Sequence, residues 1–207
     1  MNRLPLFLLL AYLLLFAFLA INPFARSVWW AENLPIMLIV AGLILTYRWF
    51  VFSNTAYALM AFLIFLHTIG GHFTFERVPF DWFTDLFEFE RNHYDRIAHF
   101  TVGFYAYALA EILLRRRLVL SRTVLYLFPV CFILAVAGVY EIFEWGYALS
   151  ADPAAGIAVL GSQGDIWDAQ KDMLADGLGA VTAVILFAGL NRREIRALPS
   201  PPAVAVS

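Results

Sequence analysis

An all-α polytopic membrane bundle of about six transmembrane helices is the fold this sequence predicts, as one integral membrane domain over residues 1–207. Three observations carry that expectation. Hydrophobic residues make up 62% of the chain and charged residues 14%, where a soluble domain carries roughly 25% charged. The apolar residues gather in runs long enough to cross a hydrocarbon core of about 30 Å as helices. Basic residues collect on alternate connections between those runs, the bias of cytoplasmic loops.

The first run, 4–21, is almost entirely Leu, Phe and Ala. It reads as a span and not as a cleaved leader: it exceeds the usual apolar stretch of about 7–15 residues, and no clear small-residue cleavage site follows. Asn22-Pro23 ends it. A short loop with Trp29 and Trp30 leads to the second span, 35–52, which opens at Pro35. The third, 55–71, closes on the stretch HTIGGHF. Residues 73–94 mix acids and arginines with aromatics and read as an amphipathic segment on the membrane surface. The fourth span, 97–114, stops at Arg115, Arg116 and Arg117. The fifth, 124–149, is interrupted by Glu141 and Glu144. A loop rich in small residues leads to the sixth, 172–190. The tail, 191–207, opens with arginines and continues into a Pro- and Ala-containing end that reads as disordered.

Composition also excludes. No basic patch with interleaved aromatics points to nucleic acid. A single cysteine, Cys131, rules out an internal disulfide and a thiolate zinc site, and reads as a small core hydrophobe.

Charge sets the orientation. With both termini cytoplasmic, the inside carries Arg3, Arg48, Arg115, Arg116, Arg117, Arg122, Arg192, Arg193 and Arg196; the outside carries Arg26, Arg77, Arg91, Arg96 and Lys171. In that topology the ionisable residues of four spans fall in the outer half of the membrane: His67 and His72, Asp95 and His99, Glu141 and Glu144, and Asp165, Asp168, Asp172 and Asp176. The last four are spaced three, four and four apart, which puts them on one stripe of a helix. Carboxylates entering a bilayer are costly and are kept for a partner or a function.

Each group has a plainer reading. Asp95 can cap the fourth span, taking orphan N–H groups near Ile97 or Ala98. Asp165 and Asp168 suit a helix N-terminus. His72 and His93 read as interfacial, and Glu111 as the partner of Arg115. Arg96 and Lys171 are the candidate counter-cations of the outer cluster. Two arrangements satisfy such a cluster. One is a divalent metal (zinc, manganese or iron) on His99, Glu144 and Asp172, with Asp95 orienting the ring or binding directly. The other is a metal-free network with some acids protonated.

Three stretches carry a family resemblance: YDRIAHFTVGF (Tyr94–Phe104), EIFEW (Glu141–Trp145) and GDIWDAQKDMLADGLGA (Gly164–Ala180), with HTIGGHFTFERVPF (His67–Phe80) beside them. Together they resemble the YjdF family of bacterial inner-membrane proteins, a domain of unknown function, over nearly the whole chain after the first span. The later half is also similar to VanZ-like proteins, known for glycopeptide-antibiotic tolerance. Asp95, His99, Phe100, Glu141 or Glu144, Asp172, Asp176 and Gly179 fit their outline; the Gly161–Gly164 run and the His67–His72 element depart from it. The resemblance implies a multi-pass inner-membrane helical scaffold and no established reaction. Three classes of function stay open: a metal-dependent enzyme on lipid or envelope substrates, a cation- or proton-coupled transporter or binding protein, and a structural membrane protein.

Overall fold

The computed structural model describes residues 3–198; the Pro- and Ala-containing end, 199–207, lies outside them. Helix α1 (Leu4–Leu19) is followed by α2 (Arg26–Thr46) and α3 (Asn54–Phe73). A 3-10 turn at Phe75–Arg77 and the short α4 (Asp81–Leu86) occupy the surface stretch. Next come α5 (Tyr94–Val102), α6 (Tyr105–Arg115), α7 (Arg122–Ser150) and α8 (Pro153–Leu160). Helices α9 (Asp168–Leu190) and α10 (Arg192–Arg196) complete the chain. Five of the passes, counting α5 and α6 together, are long and apolar enough to cross a membrane, and α1 is a shorter apolar helix.

Helix α1 runs alongside α3 in the same direction. Its first turn shares a cleft with Tyr57 near the start of α3. Its last turn offers the Leu19 carbonyl to His72 Nδ1, near the end of α3, at 2.7 Å. Helices α5 and α6 run parallel to α9 in the same way: His99 meets Asp176 and Tyr107 packs edge to face on Phe187. Helix α9 packs on α5, α6 and α7, and α3 packs on α1, α2, α5 and α6. The main core joins Met60, Ala106, Tyr107, Leu125, Ala180 and Phe187. The outward faces carry large apolar side chains such as Leu14, Ile142 and Ile185. Lipid tails leave such side chains at no disadvantage.

Several expectations are corrected here. Helix α2 begins at Arg26, so Trp29 and Trp30 are helical and Pro35 lies inside the helix. A proline commonly marks a first turn; in a membrane helix it is also tolerated further in, where neighbouring groups satisfy the freed carbonyl. Asn33 Nδ2 stabilises this stretch by donating to the Trp29 carbonyl at 2.9 Å. The fourth span is not one unbroken helix: α5 and α6 are separated at Gly103-Phe104. Asp95 does not cap α5, whose N-cap is His93 with no side-chain cap bond; Asn92 Oδ1 instead accepts from the Tyr94 N–H at 2.9 Å. Helix α9 starts at Asp168, which leaves Asp165 in the preceding turn and off the helical stripe. Cys131 is exposed on α7 and not in the core, because that stretch of α7 turns much of its surface toward lipid. Glu111 pairs with Arg115 Nη1 at 2.5 Å and accepts from Ser53 Oγ at 2.7 Å.

A helix pair this close needs glycine. A Cβ on Gly179 would overlap the Phe100 carbonyl, and one on Gly103 would overlap the backbone of Asp176 and Ala180. The two glycines let α5 and α9 approach backbone to backbone, directly beneath the polar residues described next.

Candidate functional site

His99 stands on α5, buried, between two sets of carboxylates. Its Nδ1 lies 3.3 Å from Asp176 Oδ2 on α9. An ionised Asp176 only accepts, so in this pair Nδ1 is the donor. The other ring nitrogen, Nε2, faces Asp95 Oδ1 at 3.7 Å and Asp172 Oδ1 at 3.9 Å. One donor atom from each of Asp95, His99 and Asp172 fits within 4.8 Å. Ligands bound to one ion at about 2.1 Å stand roughly 3.4 Å apart in a tetrahedron, so the three are near coordination spacing. Asp176 holds the ring from behind, as carboxylates do for metal-bound histidines.

Sequence spacing explains part of this. Asp95 and His99 are one turn apart on α5, as are Asp172 and Asp176 on α9. What spacing does not show is the pairing of the two helices, which the Gly103–Gly179 contact sets. The sequence suggests Glu144 as the partner of His99 and Asp172, but it lies outside the group of converging donor atoms, and Asp95 takes that place. Helix α7 turns Tyr140 toward His99, ring centroids 6.3 Å apart, and this sets Glu144 one turn further along the helix.

A cavity of about 170 Å³ opens beside His99. Its polar lining is His67, Asp95, His99, Tyr140, Glu144 and Asp176; Ile36, Leu63, Val136 and Val159 are among the apolar wall. On its far side, Glu32 Oε2 accepts from Tyr140 Oη at 3.0 Å and lies 3.1 Å from His67 Nε2. Neither Glu32 nor Tyr140 stands out in the sequence. Glu32 precedes Pro35, in a stretch that reads as a loop, and Tyr140 reads as one more aromatic in an apolar run. Several buried atoms here have no hydrogen-bond partner among the described residues: His67 Nε2, Glu141 Oε1, Asp172 Oδ1 and Asp176 Oδ1. The ion-pair approaches of His67 and Asp172 therefore lack an aligned N–H. Unpaired buried polar atoms cost about 1–3 kcal/mol each; of these four residues, His67 and Asp176 line the cavity.

Charge pairs join the start of α5 to the start of α9 beside the cluster. Arg91 and Arg96 each place a guanidinium nitrogen 2.6 Å from Asp168 Oδ1. Arg96 Nη1 also approaches Asp172 Oδ1 at 2.6 Å. Arg91 donates to the Ser162 carbonyl at 3.2 Å, and Gln163 Nε2 donates to the Asn92 carbonyl at 2.9 Å. Asp165 and Lys171 form an outer pair at 2.6 Å, apart from the cavity. The Lys171 hydrogen bond, with one from the Trp167 N–H, holds the Asp165 carboxyl below its ordinary range. Burial pushes the His93 imidazole below its usual value, and its ring meets Phe89 edge to face. His72 is separate from the cluster and serves as a tie between α1 and α3.

Fold and cluster together define a polytopic helical membrane protein with a buried His–carboxylate centre toward one end of the bundle. The family described as "Predicted membrane protein (DUF2238)" matches residues 4–193, and the chain belongs to it. It is 34% identical over 189 residues to the inner membrane protein YjdF of Escherichia coli (strain K12), covering 88% of each chain. This likeness and the apolar helices make it a multi-pass inner-membrane protein. No solved structure matches it.

Proposed function

We propose that the His99 cluster is a divalent-metal centre opening to the outside, and that it acts on a lipid or envelope molecule. Asp95, His99 and Asp172 supply the ligands and Asp176 fixes the imidazole. The observation that carries this reading is the His99 ring: one nitrogen is held by Asp176 while the other faces two carboxylates. Charge balance supports it. Arg91 and Arg96 offset Asp168 and Asp172, but Asp95, Asp176, Glu32, Glu141 and Glu144 have no arginine or lysine within ion-pair distance among the described residues. A divalent cation offsets two carboxylates at once. Zinc, manganese and iron all accept this mixture of imidazole and carboxylate.

Three protein ligands leave a coordination position open, the pattern of catalytic metal sites. There a metal polarises a phosphoryl or acyl oxygen, and a neighbouring carboxylate moves protons. Glu141 and Glu144 are the nearest candidates for that second role. Ligation by Asp172 Oδ1 requires Arg96 to give up that oxygen, leaving it on Asp168, to which it is also bonded. A second reading, a cation-binding or transporting protein without catalysis, is favoured by the cavity: about 170 Å³ suits an ion with water, whereas organic ligands occupy roughly 300–1,000 Å³.

The test is metal content of purified wild type against His99→Ala, Asp172→Asn and Asp176→Asn. The first two are expected to lose the metal, and Asp176→Asn to weaken it by about 10–100-fold. Equal metal in all four proteins contradicts the site. Retained metal in wild type with measurable ion flux and no turnover of envelope lipid moves the assignment to the second reading.

The outward orientation rests on the arginine bias, with α1 crossing in parallel with α3 and both termini cytoplasmic. Alkaline phosphatase fused after Ala155 is expected to be active, and fused after Val119 inactive. The opposite pattern places the site on the cytoplasmic face.

A further inference from the structure

A second and much larger cavity lies at the other end of the bundle. It measures about 960 Å³ and is bounded by α1, α2 and α3. Helices α1 and α2 each pack on α3 but scarcely on each other. They meet through Phe16 and Trp29, ring centroids 5.4 Å apart, and diverge toward Arg3 and Tyr47. The result is a wedge floored by Met60, Ala61 and Ile64 and walled by Leu9 and Leu43.

Its dimensions and chemistry select an occupant. On α1 the lining runs from Arg3 to Tyr12, about 14 Å at 1.5 Å per residue. That is about half of a 30 Å hydrocarbon core, the depth of one leaflet. Apart from Tyr12 at its deep end, the lining is apolar along this length and becomes cationic at the other end, where Arg3 stands with Tyr47 and Tyr57. Arg48, next to Tyr47, stacks on Trp49 with its guanidinium 4.1 Å from the ring centroid, adding positive charge at the same end. The acid nearby, Glu111, is already paired with Arg115 and Ser53. An apolar slot one leaflet deep with cationic groups at its headgroup end fits a lipid of negative charge.

We infer that this wedge binds an acyl chain of an anionic glycerophospholipid from the leaflet on the N-terminal side, with Arg3 and Arg48 at its phosphate. The site is independent of the His99 centre and lies in the opposite leaflet.

The experiment is native mass spectrometry of the full chain, delipidated and then titrated with phosphatidylglycerol or phosphatidylcholine of identical tails. Wild type is expected to retain phosphatidylglycerol about tenfold better. Ala61→Phe, which fills the floor, is expected to lower retention of both lipids about tenfold, and Val40→Phe on the α2 wall to do the same. Arg3→Gln together with Arg48→Gln is expected to abolish the preference, lowering phosphatidylglycerol retention more than phosphatidylcholine retention. A filling variant that melts like wild type and keeps its lipid overturns the proposal. So does equal affinity of wild type for the two lipids, or cross-linking that places a second copy of the chain in the wedge. Should Ala61→Phe fail to fold, Val40→Phe and the arginine pair decide.

Discussion

Gly179→Ala is expected to disrupt the protein more than any other single-methyl addition, by more than about 4 kcal/mol, the range reserved for severe core changes. The added Cβ would overlap the carbonyl oxygen of Phe100, a backbone atom within α5 that cannot swing aside. Relief requires α5 and α9 to separate, which removes the close contact at Gly103 and pulls His99 from Asp176. Gly189, further along the same helix, has nothing within 4 Å of the corresponding position. Gly189→Ala is therefore expected to be neutral or to stabilise by up to about 1 kcal/mol through helix propensity. Thermal melting of both variants in the same detergent separates a steric effect from a general effect of glycine replacement. Equal melting temperatures would show that the two helices are not in backbone contact.

In chelator-treated, metal-free protein, Arg96→Leu is expected to have the next largest effect, a loss of about 3–5 kcal/mol, because it strands buried carboxylates. Arg96 serves Asp168 and Asp172 at 2.6 Å each, and both acids are almost wholly buried. Arg91 still reaches Asp168, so the uncompensated group is Asp172. Adding Asp172→Asn to Arg96→Leu should therefore restore part of the loss, which a purely steric role for Arg96 does not predict. Lys171→Leu provides the contrast: its pair with Asp165 is exposed on the lysine side, and exposed pairs contribute little, so its melting temperature should match wild type.

Much of this arrangement is legible in the amino-acid sequence. Long apolar runs fix the fold class because a bilayer allows few alternatives to the helix. Acids inside those runs stand out for the same reason, and four-residue spacing puts Asp95 with His99, and Asp172 with Asp176, on one face of their own helices. The contacts across helices are not legible. His99 and Asp176 are 77 residues apart, and whether Tyr140 or Glu144, one turn apart on the same face of α7, stands level with them depends on an axial register that composition does not encode. Glu32 escapes notice because Pro35 reads as the opening of a span. The role of Arg91 is hidden because its partners, at Ser162 and Asp168, lie in a loop and a helix end far along the chain. Charge counts place that arginine at the polar end of the bundle without revealing its task.

Whether the His99 cluster holds a divalent cation is tested most directly on the wild-type protein, by metal analysis after purification and by melting with and without chelator. A bound ion is expected at about one per chain. Since a ligand that binds only the native state at 100 times its Kd adds about 2.7 kcal/mol of stability, chelator should lower the melting temperature, and zinc, manganese or iron should restore it. Protein that carries no metal and melts identically in chelator and in each metal would contradict the assignment and leave a metal-free hydrogen-bonded network in its place.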